Sequence, residues 1–390
     1  MLSPFVSNDK TLTLERFPTG QVNRSLQAWD AADQFLINEL TTRRAQLPSQ
    51  LDGEKPLNIV IFNDSFGALA CNLTEHQVFC VNDSFCSQQG ILHNLDANNL
   101  PQDNIKLLSS LDELPQNIDV ILYKIPKSKA MLSEQLIQIR KTYDASTLFM
   151  AGDRAKEIHS STLKQFEKYL GTTKTSLAVK KARLVFCAFD NKRENNGALV
   201  SPFPTQWQLE NTHFTISNHA NVYAREKLDI GARYFIENLP KIKPSSKVID
   251  LGCGNGVIGL SVLNKQNDVQ IQFFDESHMA LASARTNIAN NLPEQLDNCQ
   301  FTLNDCLSGV EGGSVDLILC NPPFHQQTAT TDHIAWQMFK DSHRVLKKGG
   351  ELRIIGNRQL GYHIKLKRIF GNEKLIASND KFVTISAIKR

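Results

Sequence analysis

The sequence lacks any long hydrophobic run. No apolar stretch among its 390 residues approaches the roughly 18 residues that a membrane-spanning helix requires. Residues 1–16 also lack the basic segment and apolar core of a secretory signal. These absences argue against a helical membrane protein and a secreted one, and we expect a protein of the cytoplasm.

Closely paired cysteines are missing too. The eight cysteines are scattered, and none forms the C-x2-C pair that is typical of structural zinc sites. We therefore expect no metal, and free buried thiols of the kind found in a reducing cytoplasm. The length of 390 residues exceeds one average domain and predicts two.

A strong overall charge is absent as well, because the formal net charge is only +3. Its distribution is uneven, since residues 120–185 contain thirteen Lys and Arg against five Asp and Glu. A local positive excess of this kind favours binding of phosphate groups, although solvated helix faces also produce it. In this region we expect RNA contacts from Lys124, Lys127, Lys180 and Lys181.

The tetrapeptide Asn321-Pro322-Pro323-Phe324 carries the clearest chemical signal. It follows the apolar run 315–320, which has the composition of a buried strand, and its prolines end that strand. The Asn321 side-chain oxygen and the Pro322 carbonyl can both accept hydrogen bonds from one NH2 group. Phe324 offers a ring on which a base can stack. The motif predicts methyl transfer to the amino group of a nucleobase, and a plain strand-ending turn is the structural alternative.

A glycine-rich turn follows another apolar strand, upstream of the tetrapeptide. The residues of this turn that we expect to bind a cofactor are Asp250, Gly252, Cys253, Gly254, Asn255 and Gly256. The turn contains a formal G-x-G-x-x-G at 254–259, so a dinucleotide is a rival ligand. However, the Asp250 carboxylate would repel a pyrophosphate and attract the ammonium and sulfonium groups of S-adenosylmethionine. The glycines would let the backbone approach that cofactor closely.

Polar side chains also end the next two predicted strands. Asp275 and Glu276 follow strand 269–274, where Asp275 could accept the ribose hydroxyls of the cofactor. Asn304 and Asp305 follow strand 300–303, where Asp305 could accept from the adenine amine. The four predicted strands are thus followed in turn by glycines, an acid, an acid and the tetrapeptide. This order fits one doubly wound sheet that binds ligands at its carboxyl edge.

The same pattern occurs twice along the chain. Ala-Asn-Asn-Leu-Pro stands at 97–101 and again at 289–293, and an acid, Asp83 or Asp275, precedes each copy by 14 residues. We therefore predict an α/β protein of two tandem Rossmann-like methyltransferase domains. The first copy has Lys124 in place of Asn321 and should be degenerate, retained for RNA binding or for stability. The predicted boundaries are 1–190 for this domain, 191–206 for a linker and 207–390 for the catalytic domain.

From about Trp207 onward the chain closely resembles the bacterial ribosomal RNA guanine-N2 methyltransferases of the RsmC and RlmG type. The motifs that carry the resemblance are HANVY at 219–223, LDIGAR at 228–233, DLGCGNG at 250–256 and NPPFH at 321–325. Two further motifs, LERFP at 14–18 and LQAWDAAD at 26–33, look like the RlmG branch. The resemblance implies a pseudo-duplicated enzyme that methylates N2 of one guanine in 23S ribosomal RNA, or a large-subunit precursor, from S-adenosylmethionine.

Substrate contacts are expected near the tetrapeptide. Asn221 and Tyr223 fall in a segment placed to form a lid over cofactor and target base, and His325 adjoins Phe324. Family members often have Tyr where this chain has Phe324, which keeps the ring and loses only a hydroxyl. Because DNA adenine and protein glutamine methyltransferases share the Asn-Pro-Pro-aromatic motif, those amines and small-subunit ribosomal RNA stay open as substrates. A non-catalytic RNA-binding assembly factor is a further alternative.

Overall fold

Two compact units make up the chain, Met1–Pro202 (unit 1) and Phe203–Arg390 (unit 2). The computed structural model describes residues 4–7, 10–19, 26–44, 55–190, 199–323 and 329–390. No helix within these ranges is both long and apolar enough to cross a membrane.

Unit 1 alternates strands and helices after a short amino-terminal hairpin. Its elements are β1 (Phe5–Ser7), β2 (Lys10–Leu12), α1 (Ala31–Arg44), β3 (Asn58–Phe62), β4 (Gln77–Asn82), α2 (Phe85–Ala97), β5 (Ile105–Ser109), β6 (Val120–Lys124), α3 (Lys129–Thr142), β7 (Leu148–Arg154), α4 (Ser160–Tyr169), β8 (Gly171–Thr175) and β9 (Ala182–Phe189).

Unit 2 follows this order and adds one α-helix between the first two strands of its sheet, where unit 1 has only the 3-10 turn Ala70–Asn72. Its elements are β10 (Thr205–Gln208), β11 (Thr215–Asn218), α5 (Ile230–Glu237), β12 (Ser246–Leu251), α6 (Val257–Lys265), β13 (Val269–Asp275), α7 (His278–Asn291), β14 (Cys299–Leu303), β15 (Val315–Cys320), α8 (Ala329–Val345), β16 (Leu346–Asn357), α9 (Tyr362–Phe370), β17 (Lys374–Ser378) and β18 (Phe382–Ile388).

Each unit is built on one seven-stranded sheet, in the order β5-β4-β3-β6-β7-β9-β8 or β14-β13-β12-β15-β16-β18-β17. The strands up to β7 and β16 are parallel, whereas β9 and β18 are antiparallel to their neighbours. Alternate strand residues pack into separate hydrophobic clusters on the two faces of each sheet. The prediction of two tandem Rossmann-like α/β domains is confirmed.

An asparagine on the helix that follows the second sheet strand of each unit, α2 or α7, ties together two distant segments. In unit 2, the Asn287 side chain accepts from the Ser217 N–H at 2.7 Å and donates to the carbonyls of Ser217 and Asn255 at 3.0 and 2.9 Å. Asn94 makes the same three bonds in unit 1, each at 2.8 Å. Both asparagines are fully buried. They hold the polypeptide that precedes the sheet against the loop that follows its first strand.

The register of the predicted repeat is wrong by one residue. β4 ends at Asn82 and β13 ends at Asp275, and the following helices are capped by Ser84 and Ser277, each two residues later. The structural counterpart of Asp275 is therefore Asn82 rather than Asp83. Aligning the two identical pentapeptides therefore shifts the helices α2 and α7 by one residue relative to each other. An identical stretch at a helix end does not determine how the strands before it pair. Unit 1 thus carries a neutral amide where unit 2 carries the carboxylate.

Candidate active site

The carboxyl ends of β12 and β15 lie side by side in unit 2, where the direction of strand addition reverses. Leu251 of β12 pairs with Cys320 of β15, so Gly252 and Asn321 are the next residues on neighbouring strands. Such a switch point is the usual ligand site of an open α/β sheet. The fold therefore brings the glycine turn and the start of the tetrapeptide to one place.

The glycine turn leaves room for a ligand. Gly252, Gly254 and Gly256 have positive φ values of 70°, 54° and 75°, in the left-handed region where a side chain is unfavourable. A Cβ added at Gly254 would meet nothing within 4 Å, which means that open space faces this residue. Helix α6 begins directly after Gly256, while Cys253 is buried beneath the turn.

Asp275 fixes the turn against the end of β13. Its Oδ2 accepts a hydrogen bond from the Gly254 N–H at 2.9 Å, and its Oδ1 accepts from the Ser277 N–H at 3.0 Å. The following residue, Glu276, is exposed. Asp275 is half-buried at the end of β13.

Asp250 is a buried carboxylate with one unsatisfied oxygen. Its side chain is 1% exposed, and Oδ2 accepts from the Gly259 N–H at 2.9 Å. Oδ1 has no hydrogen-bond partner among the described residues. Burial, reinforced by the charge of Asp275, raises the pKa of Asp250 to about 7, although the Gly259 hydrogen bond opposes the shift. A cation bound beside Oδ1 would relieve this cost.

The Asn255 side chain makes hydrogen bonds that stabilise the glycine turn. Its Nδ2 donates to Asn218 Oδ1 at 2.9 Å and its Oδ1 accepts from the Val257 N–H at 3.3 Å. The residue is 5% exposed. We expected a cofactor contact here, and the structure instead shows a side chain engaged in bracing the turn.

Asp305 lies just beyond β14 and has a partner that sequence reasoning missed. Its Oδ2 accepts from Gln337 Nε2 of α8 at 2.9 Å. No local motif marks Gln337, because the two residues meet only through the fold. The neighbouring Asn304 donates from its side chain to the Ser308 carbonyl at 2.8 Å and from its backbone to the Asp275 carbonyl at 3.0 Å.

Asn321 follows β15 at the switch point and has a buried acceptor. Its Oδ1 is buried and has no hydrogen-bond partner among the described residues. Pro322 is buried and Pro323 is exposed. Phe324 and His325, which we expected to stack on the base and to contact RNA, lie outside the described residues.

The predicted lid segment is linked to the start of α5. Tyr223 is 51% exposed, and its hydroxyl donates to Asp229 Oδ1 at 2.9 Å. Asp229 Oδ2 caps α5 by accepting from the Ala232 N–H at 3.0 Å. Asn221 is exposed, and its N–H points to the Met279 sulfur at 3.3 Å. Asp229 is part of the LDIGAR motif at 228–233, and an Asp before an apolar helix is a recognised cap signal that could have identified it.

Lys124 does not have the surroundings that we expected. Its ammonium lies 2.9 Å from Asp30 Oδ1 and 2.6 Å from Asp33 Oδ1, and its side chain is 14% exposed. Burial alone would lower the pKa of Lys124, but the two carboxylates outweigh it and raise that pKa. Burial raises the pKa of Asp33 to about 6 despite the pairing. The charge of Lys124 is therefore compensated inside unit 1, which speaks against a phosphate contact.

The other three lysines that we expect to contact RNA are exposed. Lys127 follows β6, and Lys180 and Lys181 form the tip of the hairpin between β8 and β9. Both tip residues have positive φ values, 47° and 67°, and the flanking Val179 and Ala182 exchange two hydrogen bonds of 2.8 Å. This is a two-residue turn of the kind that normally takes Asn-Gly.

Comparison with known protein families divides the chain in two. The model of the RLMG N-terminal domain matches residues 3–191. The model of the methyltransferase small domain matches residues 213–386.

Curated relatives match along almost the whole chain. The ribosomal RNA large subunit methyltransferase G of Colwellia psychrerythraea is 64% identical and covers 100% of both chains. The proteins of the same name from Aeromonas hydrophila and Klebsiella pneumoniae are 53% and 47% identical, with at least 97% of each chain covered.

A solved structure shares the fold. The T. thermophilus 16S rRNA N2 G1207 methyltransferase (RsmC), in complex with AdoMet and guanosine, superimposes with a TM-score of 0.74. The superposition covers 100% of this chain and 98% of that one, at 16% sequence identity. At that identity, the likeness concerns the fold.

Proposed function

Because the chain belongs to the ribosomal RNA large subunit methyltransferase G family, we propose that it transfers a methyl group from S-adenosylmethionine to the exocyclic N2 of one guanine in 23S ribosomal RNA or a large-subunit precursor. The observation that carries this proposal is the buried Asn321 Oδ1, which has no partner within the part of the chain that the structure describes and lies beside the glycine turn. A buried acceptor left unpaired costs about 1–3 kcal/mol, so this oxygen calls for an N–H donor from a ligand.

The residues of the turn fit S-adenosylmethionine. Gly254 faces open space that the methionine part can occupy, whereas Gly252 and Gly256 allow the positive φ values of the turn and lie close to Met338 and Ala284. Asp250 Oδ1, which has no partner among the described residues, suits the cationic end of the cofactor. Asp275 is placed to accept from the ribose hydroxyls. When bound, S-adenosylmethionine supplies an electrophilic methyl group. A pyrophosphate would face the Asp250 charge in a buried site, which disfavours a dinucleotide.

Asp305 is the proposed acceptor for the adenine amine of the cofactor. Gln337 occupies one side of its carboxylate, so the side chain is oriented before the cofactor arrives. Gln337 therefore acts as a positioning residue. Asn255 acts in the same indirect way by bracing the turn.

Asn321 and the Pro322 carbonyl orient the target amine. The lone pair of a guanine N2 is delocalised into the ring, and acceptors on its two hydrogens favour a pyramidal nitrogen whose lone pair points to the methyl group. The N–C bond would form from that lone pair as the methyl–sulfur bond breaks and S-adenosylhomocysteine leaves, and the nitrogen, then cationic, would lose a proton to water. No general base is required, so the rate gain comes from positioning. The target base leaves its stack to enter the site.

Replacing Asn321 by Ala tests the assignment directly. Removal of the acceptor should lower the rate of methyl transfer at least 100-fold, because a loss of about 3 kcal/mol of transition-state stabilisation has that effect. The affinity for the cofactor, measured by calorimetry, should stay within about threefold of the wild-type value. The substrate is ribosomal RNA from a strain that lacks the gene, and the product is identified as N2-methylguanosine by mass spectrometry of nucleosides. Asn298→Ala, which alters an exposed asparagine of the same unit, is the matched control.

The rival functions give different results in the same assay. Labelled cofactor is incubated with separate ribosomal RNA, DNA and protein fractions. Label that enters DNA, protein or small-subunit RNA instead of large-subunit RNA would overturn the proposed substrate. Failure of the purified chain to bind S-adenosylmethionine would favour a non-catalytic assembly factor.

A further inference from the structure

Lys124 of unit 1 and Asn321 of unit 2 occupy equivalent positions. Asp119, just before β6, accepts from the N–H of the first residue of β3, Asn58, at 2.7 Å. Asp316 of β15 likewise accepts from the Lys247 N–H of β12 at 2.9 Å. Five residues after each of these acids, the fourth strand of the sheet reaches its carboxyl edge, at Lys124 and Asn321.

The helix that precedes each sheet is equivalent in the same way. Asp30 and Asp229 stand directly before α1 and α5, and each accepts a backbone N–H of the first turn, at 2.8 and 3.0 Å. Helix α1 packs against β7 and β9, and α5 packs against the corresponding β16 and β18. Asp229 therefore holds the place in unit 2 that Asp30 holds in unit 1.

Unit 1 shows what this carboxylate can reach. Asp30 Oδ1 lies 2.9 Å from the Lys124 ammonium at the end of β6. A lysine side chain exceeds that of asparagine by roughly the length of one hydrogen bond. The Lys124 nitrogen thus lies about where an N–H donor bound by Asn321 would lie in unit 2. The first copy fills the position of the target amine with an ammonium of its own.

Contacts inside unit 2 place Asp229 at the same edge of the sheet. A Cβ added to Gly231 would lie 2.9 Å from Asp229 Oδ2 and 3.2 Å from the ring of Phe382. Phe382 pairs with Asn357, the last residue of β16, and β16 adjoins β15. The Tyr223 hydroxyl, at 2.9 Å, restrains the carboxylate from the lid side.

We propose that Asp229 accepts a hydrogen bond from the N1–H of the target base and thereby selects guanine. This inference rests on the function proposed above. Guanine carries a ring N–H donor next to its amino group, whereas adenine and cytosine carry a ring acceptor there. A carboxylate beside the amine-binding Asn321 matches the donor of guanine and repels the lone pair of the other two bases. Tyr223 is the residue that positions it.

The test pairs a protein variant with a base analogue. The methylated guanosine is first located by mass spectrometry of RNA treated with wild-type enzyme. Transcripts are then made with guanosine or 2-aminopurine riboside at that position, because 2-aminopurine keeps the amino group but has no hydrogen on N1. The ratio of the two kcat/KM values measures the contribution of the N1–H. Wild type should prefer guanosine by about ten- to a hundredfold, the range of one good base contact.

Asp229→Asn should lose most of this preference. Asparagine caps helices as well as aspartate does, so the fold is retained, and cofactor affinity should stay within about threefold of the wild-type value. Glu226→Gln removes the same charge from a neighbouring exposed residue and should keep the full preference. A preference that is unchanged in Asp229→Asn would overturn the role of Asp229 alone. A wild-type enzyme that methylates neither transcript would overturn the proposed function, and this inference with it.

Discussion

Replacing Asp250 by Asn is expected to stabilise unit 2 at alkaline pH while weakening its hold on the cofactor. The carboxyl is fully buried, and burial raises its pKa from 3.8 to about 7. Above pH 7 the folded protein carries a buried charge that the unfolded chain holds in water. Below pH 3.8 the group is protonated in both states and the penalty vanishes. The penalty therefore grows as pH rises between these two values.

The magnitude follows from the pKa shift. A rise from 3.8 to about 7 corresponds to ~4 kcal/mol of lost stability above pH 7. Asparagine removes this charge but buries an NH2 group, which costs about 1–3 kcal/mol. Its Oδ1 can still accept from the Gly259 N–H. The net gain at pH 8 is then about 1–3 kcal/mol, and about 2–3 kcal/mol of stabilisation should disappear between pH 8 and pH 5.

Hydrogen exchange of β12 peptides at increasing urea concentrations measures this free energy in unit 2 alone. Wild type and variant are compared at pH 5 and at pH 8. Asp316→Asn is a control of opposite sign: burial tends to raise the pKa of Asp316, but Lys347 and the Lys247 N–H outweigh it and lower that pKa. That variant should lose stability at pH 8 and less at low pH. An Asp250→Asn effect that is equal at both pH values would refute the desolvation argument.

The affinity for the cofactor tests the charge of Asp250 independently of protein stability. The wild-type affinity for S-adenosylmethionine, measured by calorimetry, should fall as pH drops from 8 to 6, because Asp250 becomes protonated near pH 7. At pH 8, Asp250→Asn should bind at least tenfold more weakly, about 1.4 kcal/mol. Equal affinities of variant and wild type would remove Asp250 from the cofactor site.

Three further changes test other parts of the molecule. Gly254→Ala should cost about 1 kcal/mol, because φ is 54°, and should weaken cofactor binding in calorimetry, because its methyl group enters open space. Replacing Lys180-Lys181 by Asn-Gly should stabilise the hairpin by about 1 kcal/mol in thermal unfolding; weaker RNA retention in filter binding, with a shallower salt dependence, is expected if these lysines contact phosphate. Asn287→Ala removes three buried hydrogen bonds and should cost about 3 kcal/mol with reduced cofactor affinity, whereas an unchanged melting temperature would contradict its bracing role.

Much of the architecture could be predicted because the signals are local. The apolar run 315–320 predicts a buried strand from its own composition, and the structure has β15 there. Prolines end a strand through their own covalent geometry, because the ring fixes φ and removes the N–H. Glycines at 252, 254 and 256 predict a turn with positive φ, and the structure has one there. The duplication was also detectable, since both halves share the same order of strands and differ mainly by the additional helix α6 of unit 2.

The details of the repeat were less accessible. An identical pentapeptide suggested one alignment of the two copies, whereas strand pairing and the caps Ser84 and Ser277 establish another, shifted by one residue. Lys124 was predicted to bind phosphate because a lone basic residue in a sequence shows no partner. Its partners Asp30 and Asp33 are about ninety residues away along the chain and meet it only in the folded unit.

The sequence by itself determined the chemistry on offer: an amide and a carbonyl for an amine, glycines that admit a cofactor, and acids after successive strands. Tertiary structure alone decided which of these groups are unsatisfied. Asp250 Oδ1 and Asn321 Oδ1 are buried without partners among the described residues, whereas the Asn255 side chain is hydrogen-bonded to Asn218. The physical reason is that hydrogen bonding, burial and pKa depend on what long-range folding brings within about 3 Å of an atom. The order of residues along the chain does not specify those neighbours.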